Sequence, residues 1–434
     1  MGKIIKRYYI NVEIKLETPL TISNGENEHT DSDVLRNANE KIFIPGTALA
    51  GAFRNYLDKE KNKKCSFGYS SKIKKGGVET DEGSMSSIFI SDVYFDNTNI
   101  SVRDGIKLND KKTVGKDDNT KFDYEIVEAG ASSELKIERI VRADDVDKDN
   151  ALNEIAKILY GLNNGEIRLG SKKNRGFGWI KVKKVYLYEF DKESRDEWIK
   201  YCKTSDKNDE KNKWEEWRKK DNESGKYFSI KIPLRLQGGI SIRRYSARPN
   251  QADYEHITVK GKNGELVPVI PGTSWNGAIR AGVKDILNEL GIKEADKKIK
   301  NWFGDIEAHQ SNIVIKEGTL KGSTMIPISR NRVNRFDAST VEGALYSEIS
   351  CFGGETELEI LIRNLVEEDG FDDNGSMALM GAIILVAEEI KQGYIAIGGQ
   401  TAVGRGIFEE NGDIQYSGNV SIEQCLKELA LLKD

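Results

Sequence analysis

The sequence predicts an α+β fold built from two tandem copies of one module. Three observations carry this. Glycines at 165, 170, 176 and 178 recur at 393, 398, 404 and 406, each 228 residues later. IPGTALAGAFRNYL from Ile44 recurs as IPGTSWNGAIRAGV from Ile270. Pro45, Gly46, Thr47, Gly51, Ala52 and Arg54 return there as Pro271, Gly272, Thr273, Gly277, Ala278 and Arg280. Between these anchors Phe67-Gly68 is echoed by Phe303-Gly304, and SSIFISD from Ser86 by SNIVIKE from Ser311. With 41 glycines in 434 residues one shared pattern would mean little, but four glycines in a single register do not arise easily by chance.

Each copy opens with a strand of period-two apolar residues: Ile10, Val12, Ile14 and Leu16 in the first, Phe228, Ile230, Ile232, Leu234 and Leu236 in the second. A loop follows, then Pro-Gly-Thr starts a helix, where Thr47 and Thr273 are expected to cap the exposed N–H groups. Leu49, Phe53, Tyr56 and Leu57 form one apolar helix face, and Trp275, Ile279, Val283, Ile286 and Leu290 the other. A strand and a long insertion come next. A second amphipathic helix follows, marked by Leu152, Ile155 and Leu159 or by Leu379, Ile383, Val386 and Ile390. The copy closes with a strand, the glycine loop and a last strand. That order is ferredoxin-like, and the resulting RRM-like sheet is a common RNA-binding platform.

The expected boundaries are 1–190 for the first module, 191–226 for a charged linker, 227–411 for the second module and 412–434 for a helical tail. Trp198, Trp214 and Trp217 in the linker predict that it docks on a domain as short helices.

Composition bounds the function. A net charge of −4 and a pI near 5.8 argue against a protein that coats DNA through overall basicity, while leaving room for a local basic groove. No apolar run approaches the ~18 residues of a membrane span. The N-terminal MGKIIKRYYINVEIKLE lacks a signal-peptide core. Cys65, Cys202, Cys351 and Cys425 have no metal-site spacing and read as reduced thiols. A cytoplasmic protein is therefore expected.

The pattern IPG[TS]-x3-G-x2-R after the first strand, with a G-x5-G-x-G loop before the last, resembles RAMP proteins. More narrowly it is similar to backbone subunits of type III CRISPR effector complexes. The tandem fusion, and the wording DYEHIT followed by VIPGTSWNGAIR, resemble the fused subunits of type III-D systems.

The resemblance implies a palm that holds guide-RNA phosphates and an inserted thumb that wedges into the guide–target duplex. Its partners would be a guide RNA, a complementary target RNA and other complex subunits, with no membrane. Expected RNA-binding residues are Arg54 and Arg280 on the opening helices, Gly170, Lys172, Lys173, Arg175, Gly176 and Gly178 in the first glycine loop, and Gly398, Gly404, Arg405 and Gly406 in the second. Glycines let backbone N–H groups approach phosphate, although they also serve loop packing. Thumb candidates are 101–133, with Arg103, Lys107, Lys111, Lys112 and Lys116, and the stretch around Arg330, Arg332 and Arg335.

In such subunits an aspartate in the loop after the first strand supports cleavage of target RNA with a divalent metal. The matching positions are Asp31 in HTDSDVLRN and Asp253 in DYEHIT, which would hold Mg²⁺ or another divalent cation through its waters. His29 and His256 stand nearby as candidate acid–base groups, and Asp33 is a neighbouring carboxylate. Turn formation is the ordinary role of such loop aspartates. Three readings stay open: a backbone subunit that also cuts RNA, a non-catalytic RNA scaffold, and a metal-independent guide-processing endoribonuclease.

Overall fold

The computed structural model describes the chain except residues 1, 24–29, 58–65, 76–77, 97, 107–120, 146–147, 149–150, 205–206, 221–226, 246–251, 262–264, 305–310, 364–374, 418–420 and 433–434. His29, Cys65, Lys107, Lys111, Lys112 and Lys116 lie outside the described residues. Two compact units are present. One comprises Met1–Val102, Tyr124–Lys173 and Phe177–Glu223; the other comprises Arg103–Asp123, Asn174–Gly176 and Ser224–Asp434.

In the first unit the alternating opening residues become the strand Ile4–Leu16, and Ile10, Val12, Ile14 and Leu16 are all buried. This strand is central in a four-stranded antiparallel sheet. Ile180–Asp191 flanks it on one side; on the other lies Ser132–Arg142, followed by the edge strand Ile88–Ile90. In chain order the sheet reads 4-1-3-2, consistent with a ferredoxin-like module. Helices α1 (Gly46–Leu57) and α2 (Asn153–Asn163) supply Leu49, Phe53, Ile155 and Leu159 to its core.

The second unit repeats the plan. Tyr227–Gln237 lies between Ile407–Glu410 and Glu355–Arg363, and Ile313–Ile315 forms the far edge, again in the order 4-1-3-2. The later helices, in chain order, are α3 (Arg195–Thr204), α4 (Trp214–Lys220), α5 (Gly272–Glu289), α6 (Ala295–Phe303), α7 (Ser376–Lys391) and α8 (Ile422–Leu431). Trp275, Ile279 and Val283 of α5 and Leu379, Ile383 and Val386 of α7 are buried in one core with the sheet. Gly381 lets α8 approach α7, because a Cβ there would strike the Cys425 carbonyl.

The charged tract after the first module is folded onto the first unit rather than extended. Trp214 of α4 is buried in its core, and Trp198 of α3 donates its indole N–H to the Tyr9 hydroxyl at 3.2 Å.

The capping expectation is corrected. Helices α1 and α5 begin at Gly46 and Gly272, so Thr47 and Thr273 already lie inside the first turn. The Gly46 N–H is taken instead by the Asp92 carboxylate at 2.7 Å. The closing helix also forms without a cap bond from the Ser421 side chain. No helix among the described residues is long and apolar enough to cross a membrane. Cys202, Cys351 and Cys425 are free thiols.

Candidate nucleic-acid interface

All eight repeated glycines have positive φ: 74°, 79°, 84° and 75° at 165, 170, 176 and 178, and 81°, 92°, 80° and 72° at 393, 398, 404 and 406. Side chains rarely adopt this conformation, which explains why glycine persists at each position. The loops also share a non-glycine residue in the same state, Lys172 (54°) and Gln400 (60°). Each is followed by a 3₁₀ turn, Lys173–Arg175 or Thr401–Val403.

Steric closeness explains part of the pattern. A Cβ on Gly178 would collide with the Leu169 carbonyl oxygen, and one on Gly406 with the Ile397 carbonyl oxygen. The Gly178 N–H bonds the Pro19 carbonyl, and the Gly406 N–H the Gly239 carbonyl, both at 2.8 Å. Ser171 and Gly399 donate to Thr21 and Ser241 at 2.8 and 2.9 Å. The packing role of these glycines is therefore real: each loop rests on the chain leaving a first strand, and Arg175 and Gly176, which belong to the second unit, also pack against Gly272 at the start of α5 and against Ile315. Gly404 differs, since a Cβ there would meet open space.

In each unit, three segments converge: the acidic loop after the first strand, the return strand of the inserted hairpin, and the glycine loop. In the first unit the return strand is represented by Tyr124–Val127, the end of the strand Lys121–Val127. Its Glu125 N–H bonds the Ser32 carbonyl at 2.9 Å, and its carboxylate accepts from the Val34 N–H and from Arg36, at 3.1 and 2.9 Å. Tyr124 and Ile126 bury Phe177 of the glycine loop, and the Lys172 ammonium sits 3.6 Å above the Tyr124 ring. In the second unit the return strand is Tyr346–Phe352, antiparallel to Thr324–Arg330 and parallel to Tyr254–His256. Its Glu348 carboxylate, with a fully buried side chain, meets Arg330 at 3.0 Å and the Gln400 amide at 3.0 Å.

The two loop aspartates part company with their neighbours. Asp31 is exposed, whereas Asp33 is buried and accepts a hydrogen bond from the Thr30 hydroxyl, closing the turn. Asp253 is exposed too, but its Oδ2 accepts from the Ser347 N–H at 2.7 Å and the Ser347 hydroxyl at 3.3 Å. His256 is not poised for proton transfer. Its Nδ1 accepts from the Ile242 N–H at 3.2 Å, and its Nε2 lies 3.1 Å from the Val269 carbonyl. Burial pushes its pKa down to about 4, so the ring is neutral near pH 7.

The basic residues divide similarly. Arg54 is exposed on α1. Arg280 is half-buried, reaches the Gly304 carbonyl at the end of α6 at 3.4 Å and lies 5.8 Å from the Phe303 ring. Arg405 stacks 4.5 Å above Phe352. Arg103, within the second unit, is buried against Glu317 and is no exposed thumb cation. Arg330 is held by Glu348, leaving Arg332 and Arg335 as the exposed arginines of that hairpin tip, beside Phe336 at 91% exposure. Sequence reasoning missed Glu125, Glu348 and Gln400, and nothing in their local sequence signals a buried or loop-bridging role.

The RAMP superfamily model matches residues 13–181 and 253–409. The chain belongs to the RAMP superfamily. No curated protein matches it. RAMP proteins generally work with RNA and other subunits in CRISPR complexes. Each RAMP match takes in the loop aspartate, the opening helix and the glycine loop of its module. Among the described residues no cluster of three or more His, Cys, Asp or Glu is placed to hold a metal.

Proposed function

We propose that this RAMP protein is a backbone subunit of a type III CRISPR ribonucleoprotein, and that its first glycine loop grips guide-RNA phosphates. The observation that carries the reading is the left-handed turn at Lys172, which leads into a short 3₁₀ turn, Lys173–Arg175, between glycines. Backbone N–H groups and three cations at one turn suit a phosphate chain. The corresponding second turn, Thr401–Ala402–Val403, carries no charge, so the second module contributes less to RNA grip.

Asp31 is the better placed carboxylate for cleavage of a bound target. It is exposed, whereas Asp33 is buried in the turn against the Thr30 hydroxyl. One exposed carboxylate fits Mg²⁺, which is commonly held by one or two carboxylates together with substrate phosphates. When bound, such a cation offsets charge on the phosphate oxygens. Asp31 would position it through water and orient the attacking 2′-hydroxyl. Asp253 has one oxygen engaged by Ser347, which fixes its direction and leaves Oδ1 outside those bonds. A histidine-driven, metal-independent ribonuclease is disfavoured in the second module, where both His256 nitrogens serve the backbone.

The identity of co-purifying RNA tests the reading. A discrete short RNA with a common repeat-derived end is expected. Heterogeneous fragments would contradict a guide-bound subunit.

A further inference from the structure

The outer face of the first unit's sheet, opposite the buried Ile10 and Val12, carries a row of residues in register across four strands. Tyr188 pairs with Tyr9, Tyr9 with Glu138, and Glu138 with Phe89 on the edge strand. The next row places Asn11 beside Lys136. Helix α3 covers only part of this face. Its Tyr201 packs against Tyr188 and Tyr9, with ring centroids 4.5 and 5.3 Å apart, and accepts the Asn11 amide N–H at 3.2 Å. Beyond Tyr201 a pocket of about 460 Å³ remains, and Tyr9, Tyr201 and Phe89 line it. Phe89 is 42% exposed there.

The charges of this pocket cancel. It contains Glu134, Glu138, Lys136 and Lys207. Glu138 is paired with Arg7, Lys207 with Glu13 and Glu134 at 3.1 and 3.4 Å, and Lys136 with Glu134 at 3.8 Å. A neutral lining has no net attraction for phosphate, so the ligand is recognised by its ring and edges. Aromatic rings lining one pocket with carboxylates and ammoniums match a flat heterocycle bearing both donors and acceptors. Guanine fits best, because its N1–H and N2–H groups can meet a carboxylate while an ammonium donates to O6 or N7. Stacking of unpaired bases on exposed sheet aromatics is a general mode of RNA recognition.

From this register we infer that the outer sheet face holds an unpaired guanine base in the pocket lined by Tyr9, Tyr201 and Phe89. The site needs neither the glycine loop nor Asp31. Photo-cross-linking of the intact protein with 6-thioguanosine monophosphate tests it, with 4-thiouridine monophosphate as comparison. Cross-links should map to the peptides containing Tyr9, Phe89 or Tyr201, and unlabelled GMP should displace them. Phe89→Ala and Lys136→Ala change exposed side chains, and each should weaken labelling about tenfold while circular dichroism stays unchanged. Cross-links confined to residues 165–179, or equal labelling by both probes, would overturn the site and leave phosphate gripping by the glycine loop untouched. An aromatic side chain from a partner protein as the occupant would show as no nucleotide labelling at all, which also overturns it.

Discussion

Lys172 and Gln400 hold the same left-handed backbone, at φ 54° and 60°, 228 residues apart in the chain. Each sits at the turn of a glycine loop and touches the return strand of its unit's inserted hairpin. Lys172 does so through the Tyr124 ring, and Gln400 through Glu348, with its Oε1 accepting from Arg330 at 3.2 Å. The backbone device is shared, and the side chains on it have diverged from a cation to a neutral amide.

That shared backbone makes the glycines unequal. Gly178→Ala and Gly406→Ala combine positive φ with a collision against a backbone carbonyl, and each should cost more than ~2 kcal/mol of stability. Gly404→Ala has only the positive φ to overcome and should cost ~1 kcal/mol. Urea denaturation of the three variants reads the difference directly, and equal losses would refute a packing role for Gly178 and Gly406.

Glu348 is the buried carboxylate that ties the hairpin to the glycine loop. Glu348→Ala removes the ion-pair partner of Arg330 and the acceptor of the Gln400 amide, and should destabilise the second unit by ~3 kcal/mol. Hydrogen exchange should rise first in 324–330 and 346–352. Unchanged protection there would show that the pairing of these strands does not depend on Glu348.

His256 gives the second unit a defined acid sensitivity. Its folded pKa of about 4 lies below the ordinary 6.5, so the unfolded chain binds the proton more readily. The associated stability is fully present above pH 6.5 and is lost as pH falls toward 4. The total is on the order of 3 kcal/mol. His256→Asn should flatten the stability profile between pH 6.5 and 4, measured by denaturant midpoints across that range. A profile as steep as that of the wild type would exclude His256 as the cause.

The repeat was legible because its glycines answer a backbone requirement that survives side-chain divergence. The core strands and helices were legible from period: Ile10 to Leu16 and Leu379 to Ile390 are buried as their spacing predicts. Long-range partnerships were not. Asp92 caps α1 from 46 residues away, and Arg103 finds Glu317 only through the fold. Nor does the wording DYEHIT reveal that His256 is enclosed by backbone on both nitrogens. Among the loop aspartates the family resemblance pointed to Asp31, with Asp33 only as its neighbour. Burial against the Thr30 hydroxyl sets Asp33 apart from the exposed Asp31.

Cleavage should follow that separation. In the assembled complex with Mg²⁺, Asp31→Ala should remove one cut in a complementary end-labelled RNA, and Asp253→Ala should remove another. Asp253→Ala also removes the Ser347 hydrogen bonds and should cost ~1–2 kcal/mol of stability, which leaves the complex assembled. EDTA should silence both cuts. On a denaturing gel, an unaltered pattern for Asp31→Ala would remove it from the reaction.

The most direct measurement is RNA retention by a variant in which Arg54, Lys172, Lys173 and Arg175 are all replaced by Ala. If the first glycine loop and its helix grip phosphates, occupancy should fall for every guide sequence. The slope of log affinity against log salt should become shallower, by up to about one for each phosphate that the variant no longer neutralises. A folded variant with unchanged RNA occupancy and an unchanged salt slope would contradict the account at its centre.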